Sequence, residues 1–566
     1  MTILIANIGT SDLAVKIGEY YIPIGFDRDE KNVDSLGLSK EERELWDSRN
    51  QLLGTCLCPE LDLPVVKKER REEYTFSLRE LTSKLLDAYN QNPEIWHERI
   101  RPGRIWGVIK RARENFKVKN VYIFVTNQVS DISLSGHSQD SIFLFKILEK
   151  WFERELSSIT LIAKIIPLGI PANDQDKLLN YYYDFFNSSE LSNNEIALIS
   201  IKGGTPQMQT ALQIQGISSN IRKQLFLEPV LKIRNILLGN PSDCKSASYW
   251  QYMRSQKYQT VKQLLTRWDF DGAREILQGW QEDLEWISNQ GISVNKESTA
   301  VILNALNLTC AYLDLDSKNA QKILKESKLL KADGSFPEKL LTNHDLLLDL
   351  YAQSKIKWEL GQIPDFLWRM SCFYEETLNQ LIKKWDKKLA TTEQKSNGYF
   401  LKISKMPEVL KQIFEHLEPK CIGSQECKLE SRRRRQNFIE SLVRYDKTQS
   451  AKLPVDKWSE LSQLMSTLDY WANQRNQIIH NAKGVSKEEM LQRLESDRKN
   501  PDNLNLHEKE NLRNACSPDE ILSNMKKIYK ISAEILHLQA IRTFNEDGGY
   551  YIYSQIRTWV IAQLMK

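Results

Sequence analysis

The chain has 566 residues, 41% of them hydrophobic and 27% charged, the balance of a folded protein with about three or four domains rather than a disordered or fibrous one. Lysine plus arginine number 78 against 74 for aspartate plus glutamate, so the net charge of +4 excludes a generally basic coat and makes any nucleic-acid surface local. No apolar run approaches the ~20 residues that span a bilayer, and the opening "MTILIANIGTSD" lacks a basic leader and reads as a strand, so a cytoplasmic protein with no membrane partner is expected. The eight cysteines are scattered. Cys56/Cys58 and Cys421/Cys427 are the only close pairs, and neither has a second pair at zinc-site spacing. Reduced thiols and no metal are therefore expected.

From the N-terminus, short β-branched runs alternate with helical patterns. Strands are predicted at Thr2–Ile8, Val121–Thr126, Thr160–Pro167, Glu195–Ile201 and Leu225–Ile233, with helices near 74–90, 103–117, 140–156, 175–187 and 205–219. Nearly continuous apolar strands separated by helices predict a mainly parallel α/β sheet covered on both faces. "VKIGEYYIPIG" after the first strand reads as a hairpin. "LLGNPSD" (237–243) breaks the pattern, and from about 246 long amphipathic stretches predict an all-α remainder, with a second seam near "ATTEQKSNG" (390–398). The expected domains are 1–243, a helical connector 244–400, and a helical domain 401–566. "SRRRRQ" (431–436) is the one charge block of note, either a guide for RNA or a solvated face.

Two motifs in the α/β part carry chemistry. In "ISIKGGTPQMQ", a strand ends at Lys202, Gly203 and Gly204 turn, Thr205 fits a helix N-cap, and Pro206 fits the first helical position, ahead of Gln207. Such a helix start at the carboxyl end of a parallel strand favours an anion, although an ordinary strand-to-helix turn uses the same residues. The Walker spacing and GxGxxG are both missing, which excludes those phosphate sites. In "ANIGTSD", Asn7, Thr10 and Ser11 offer small donors and acceptors past the first strand. "VTNQVSDISLSGHSQDS" (125–141), with Gln128 and His137, is a third polar loop that can reach the same crevice.

In the last third, Leu461, Met465, Leu468, Ala472, Arg475 and Ile479 follow steps of 4, 3, 4, 3 and 4, so Arg475 continues a buried helical stripe and must be paired, at an interface, or facing a cleft. His480 lies roughly 140° away, on a polar strip with Asn473, Asn476 and Gln477. The two side chains converge only if the helix distorts or a second copy packs alongside; the competing reading is a buried arginine and a surface histidine.

Taken together, "NIGTSD", "KGGTPQM" and "RNQIIH" resemble, in order along the chain, the motifs of the CARF–HEPN ribonucleases that accompany type III CRISPR systems. The resemblance implies a Rossmann-like sensor, a helical connector and a C-terminal helical nuclease with Arg-x4-6-His. It implies a cyclic oligoadenylate activator bound in a dimer cleft by Asn7, Gly9, Thr10, Ser11, Gln128, Lys202, Gly203, Gly204, Thr205, Pro206 and Gln207. It also implies a homodimer that cleaves single-stranded RNA, with Arg475, Asn476 and His480 from both copies forming one metal-independent site that leaves a 2′,3′-cyclic phosphate. Neither a cofactor for catalysis nor stable membership of a larger CRISPR complex is implied. The rival readings are a nucleotide-sensing scaffold without catalysis and a constitutive RNase toxin.

Overall fold

The computed structural model describes residues 2–25, 38–68, 73–128, 136–191, 195–327, 336, 344–395, 398–449, 453–480, 486–501, 506–538, 544 and 548–566, with the backbone alone at 68, 395, 398 and 476–480. These residues form two compact units, Met1–Lys257 with Gln278–Lys296, and Tyr258–Leu277 with Glu297–Lys566. Helices Trp250–Thr266 and Phe270–Asn289 supply residues to both.

The first unit is built on strands β1 (Thr2–Asn7), β7 (Asn120–Val125), β8 (Thr160–Ile165), β9 (Ile196–Ser200), β10 (Lys223–Val230) and β11 (Asp243–Ala247). Between β1 and β7 lie the short strands β2 (Leu13–Ile17), β3 (Tyr20–Pro23), β4 (Val66–Lys68), β5 (Glu73–Thr75) and β6 (Ile100–Pro102). The main sheet runs β8-β7-β1-β9-β10-β11. All its pairings are parallel except β10–β11. Successive side chains go to opposite faces, and both faces are dry. Leu4, Ala6, Val121, Ile123, Leu198 and Leu225 enter one core with helices Leu78–Gln91, Arg104–Phe116 and Ile142–Glu155. Ile3, Ile5, Tyr122, Phe124, Ile199 and Phe226 enter the other with helices Gln175–Phe186 and Pro206–Ser218. This is why the strands read as unbroken apolar runs.

All five predicted strands are present, and β2–β3 is the predicted hairpin. Sequence reasoning missed β6, which is three residues long and completes a β3-β2-β6 sheet, and β11, whose "DCKSA" carries no apolar alternation. β11 pairs with the edge of β10, where a polar strand costs little.

The second unit is largely helical. Helix Ile363–Trp385 packs against Leu346–Glu359, Arg432–Gln449, Val455–His480 and Ile521–Leu536. The expectation that this half is all-α needs correction: β12 (Thr392–Lys395), β13 (Gly398–Lys402) and β14 (Glu426–Lys428) form a small antiparallel sheet, so the polar seam near 390–398 opens a hairpin. Cys421 and Cys427 are joined as a disulfide, against the expectation of reduced thiols throughout, because β14 carries Cys427 back beside the turn that holds Cys421. Among the described residues, no helix is long and apolar enough to cross a membrane, and no group of His, Cys, Asp or Glu side chains is placed to hold a metal.

Candidate functional site

β1 lies between β7 and β9, so the chain turns to opposite sides of β1 and the ends of three adjacent strands bound the position where doubly wound sheets bind ligands. The loops after β1 and β9 meet there by backbone contact. A methyl group at Gly9 would stand 3.0 Å from Gly204 N, and one at Gly203 would stand 2.7 Å from Asn7 O. Gly203 and Gly204 both have positive φ, +105° and +70°, a conformation and an approach that a larger residue does not tolerate. Gly9 N–H donates to Asp12 Oδ2 at 2.7 Å, and Asp12 Oδ1 accepts from Ile105 N at 3.1 Å, so the first loop is pinned to the start of helix Arg104–Phe116. The Arg104 guanidinium sits beside both Asp12 and Gly9, a cation at this junction that the sequence did not flag.

Thr205 is the N-cap predicted for it, its Oγ1 accepting from Met208 N at 3.2 Å, and Pro206 opens the helix. The same hydroxyl donates to Ala172 O. From the other side of β1, the Gln128 amide accepts from Ala172 N at 3.3 Å and donates to Ile170 O at 3.4 Å. The segment after β8 is thereby strapped to the ends of both β7 and β9, across the end of β1. Gln128 is itself fixed: its N–H donates to Asp140 Oδ2 at 2.7 Å, and its carbonyl accepts from His137 Nδ1 at 2.8 Å. Arg79 Nη1 donates to the same Asp140 oxygen at 2.7 Å.

The predicted ligand residues therefore divide. Gly9, Thr10, Ser11, Lys202, Gly204, Thr205 and Gln207 are half-buried, Gly203 is buried, and Pro206 is exposed. Asn7 and Gln128 are buried and face inward: Tyr182 OH donates to Asn7 Oδ1 at 2.6 Å, and the Asn7 Nδ2 is buried without a hydrogen-bond partner among the described residues. Burial pushes the Tyr182 phenol well above its usual range, so this donor stays protonated. Residues 129–135 of the third loop lie outside the described residues. The strap, made of Ile170–Ala172, is the part of the crevice that sequence reasoning missed; "PLGIPAND" reads only as a turn.

In the second unit, helix Val455–His480 buries Leu461, Met465, Leu468 and Ala472 as its periodicity predicts. Arg475 is half-buried, its Nη1 lies 3.5 Å from Ser371 Oγ, and its buried Nε has no hydrogen-bond partner among the described residues. It stands near Cys372, whose thiol burial holds above its usual range while Arg475 works against that shift. The helix reaches His480 without a break, so the distortion that would converge the two groups within one chain does not occur before that residue. The side chains of Asn476 and His480 lie outside the described residues.

No protein-family model and no curated protein matches the chain. Among solved structures, it is similar to Enterococcus italicus Csm6 bound to cyclic hexa-2'-fluoro-hexa-dAMP, at 15% identity and a TM-score of 0.46, with 82% of this chain and 95% of that one covered.

Proposed function

We propose that this chain is a CARF–HEPN endoribonuclease of a type III CRISPR response, switched on by a cyclic oligoadenylate and cutting single-stranded RNA without a metal. The observation that carries this reading is the backbone contact of "NIGTSD" with "KGGTPQM" at the switch point of the sheet, in a chain whose helical unit carries "RNQIIH" at the end of a long helix. Two glycine-bearing turns and a helix start there favour a phosphate-bearing ligand. Arg475 supports the nuclease half, because a half-buried guanidinium whose Nε has no hydrogen-bond partner among the described residues suits an interface with an anion or a second copy.

In this mechanism two copies pair, each contributing Arg475, Asn476 and His480. A neutral imidazole takes the proton of a 2′-hydroxyl, and that oxygen attacks the adjacent phosphorus. The P–O5′ bond breaks, a protonated imidazole gives its proton to the departing 5′-oxygen, and Arg475 stabilises the charge on the pentacoordinate phosphorus. The products are a 2′,3′-cyclic phosphate and a 5′-hydroxyl. Ligand must bind the cleaving arrangement more tightly than the idle one. The test is purified protein, labelled single-stranded RNA and EDTA, with and without cyclic tri-, tetra- or hexa-adenylate. Cleavage only with ligand supports the reading; ligand-indifferent cleavage would indicate a constitutive toxin, and ligand binding without cleavage a scaffold.

A further inference from the structure

The "SRRRRQ" run plays no part in that mechanism, and it is not a free basic face. Arg435 donates to Leu429 O at 3.0 Å and Glu375 Oε2 at 3.3 Å, and Arg434 to Lys428 O at 2.8 Å and Glu418 Oε2 at 3.4 Å. Only Arg433 is exposed, beside His507. Arg432 is the informative member. With its side chain 14% exposed, it places Nε 3.4 Å from Asp469 Oδ1 and Nη1 3.9 Å from Glu375 Oε1, and its Nη2 donates to Asn473 Oδ1 at 2.5 Å. Its guanidinium stands 5.5 Å from the centre of the Tyr374 ring, and Tyr374 OH donates to Asp469 Oδ2 at 3.1 Å.

Asp469, Asn473, Asn476 and His480 follow one another at steps of 4, 3 and 4 on helix Val455–His480. At about 100° per residue they share one face, within roughly 60° of each other, whereas Arg475 is turned away. The arginine docked on the face that carries Asp469 and Asn473 is thus Arg432, from another helix. By occupying Asn473 Oδ1 it turns the amino group of that amide away from itself. Asn473 is half-buried and stands about 10 Å along the axis from His480, far enough to meet a neighbouring nucleotide rather than the bond being cut.

We infer that Asn473 is a further RNA-binding residue, donating from its amino group to a phosphate next to the one that is cleaved, with Arg432 as the residue that positions and polarises it. This inference rests on the ribonuclease reading. Asn473→Asp is the discriminating variant: it keeps an acceptor for Arg432 and strengthens that pair, but replaces the donor with a negative charge. In a His480→Ala background, Asn473→Asp is expected to weaken binding of labelled single-stranded RNA, read by fluorescence anisotropy, by roughly 10-fold or more, with the thermal midpoint unchanged or raised. Asn473→Ala gives a smaller loss. In the active protein, Asn473→Asp and Arg432→Lys raise KM for RNA and leave kcat in place. Unchanged RNA affinity and KM in Asn473→Asp overturn the inference while the ribonuclease reading stands. A parent protein that neither binds nor cuts RNA in the presence of any cyclic adenylate overturns both.

Discussion

The crevice of the first unit and the helix end of the second are assembled in opposite ways. In the crevice, loops from one chain lock each other in place: Gly9 against Gly204, Gln128 and Thr205 on the strap, Asp12 on the start of helix Arg104–Phe116. Gln128 and Thr205 are engaged there with backbone of the 170–172 segment. Along helix Val455–His480, side chains meet side chains, as Arg432 meets Asp469 and Asn473, while the five-residue spacing of positions 475 and 480 sets them about 140° apart around an ideal helix. The lesson is that the loops of the first unit fix one another within one chain, whereas the proposed site that uses both Arg475 and His480 would draw on a second copy.

Breaking the incomplete site should have the largest effect. Arg475→Ala is expected to lower RNA cleavage at saturating ligand by about 10²–10³-fold in single-turnover assays, while calorimetric affinity for the cyclic adenylate stays the same. A variant that still cuts at the parent rate removes Arg475 from the chemistry. Next comes the loop contact. Gly9→Val forces a side chain against Gly204 N, and ligand affinity should fall by about tenfold or more as the two loops part. Unchanged affinity would mean that the junction does not face the ligand.

The smallest effect sharpens how the first unit is held. Arg234 grips Glu42 through two bonds, of 2.7 and 2.9 Å, and Ser39 N–H adds a third at 2.7 Å, which together hold that carboxyl at about 2. A carboxylate depressed in the folded state stabilises it fully above the unfolded value near 4.5, and the contribution is lost as pH falls toward 2. The gap in thermal midpoint between the parent and Arg234→Gln should therefore be widest above about pH 5 and close on acidification. A gap that does not change with pH would assign the stabilisation to something other than this charge.

What could be read from the sequence was whatever a short window encodes. The five main strands announced themselves through apolar runs, the Thr205–Pro206 helix start through residue choice, and the buried stripe of 461–472 through its 3–4 spacing. These features depend on neighbours within about one turn or one strand, so local chemistry was enough to determine them. Tertiary structure alone decided which partners were distant in sequence: β11 joining β10, Gln128 and Thr205 gripping a strap more than thirty residues from either, and Arg432 docking on Asn473 forty-one residues away. Each depends on where the chain returns after several elements, and no periodicity records that. The "SRRRRQ" run shows the difference most plainly. Four adjacent arginines read as one charge block, yet the helix that carries them points each in its own direction, and three of the four turn inward to carboxylates and carbonyls supplied by other segments.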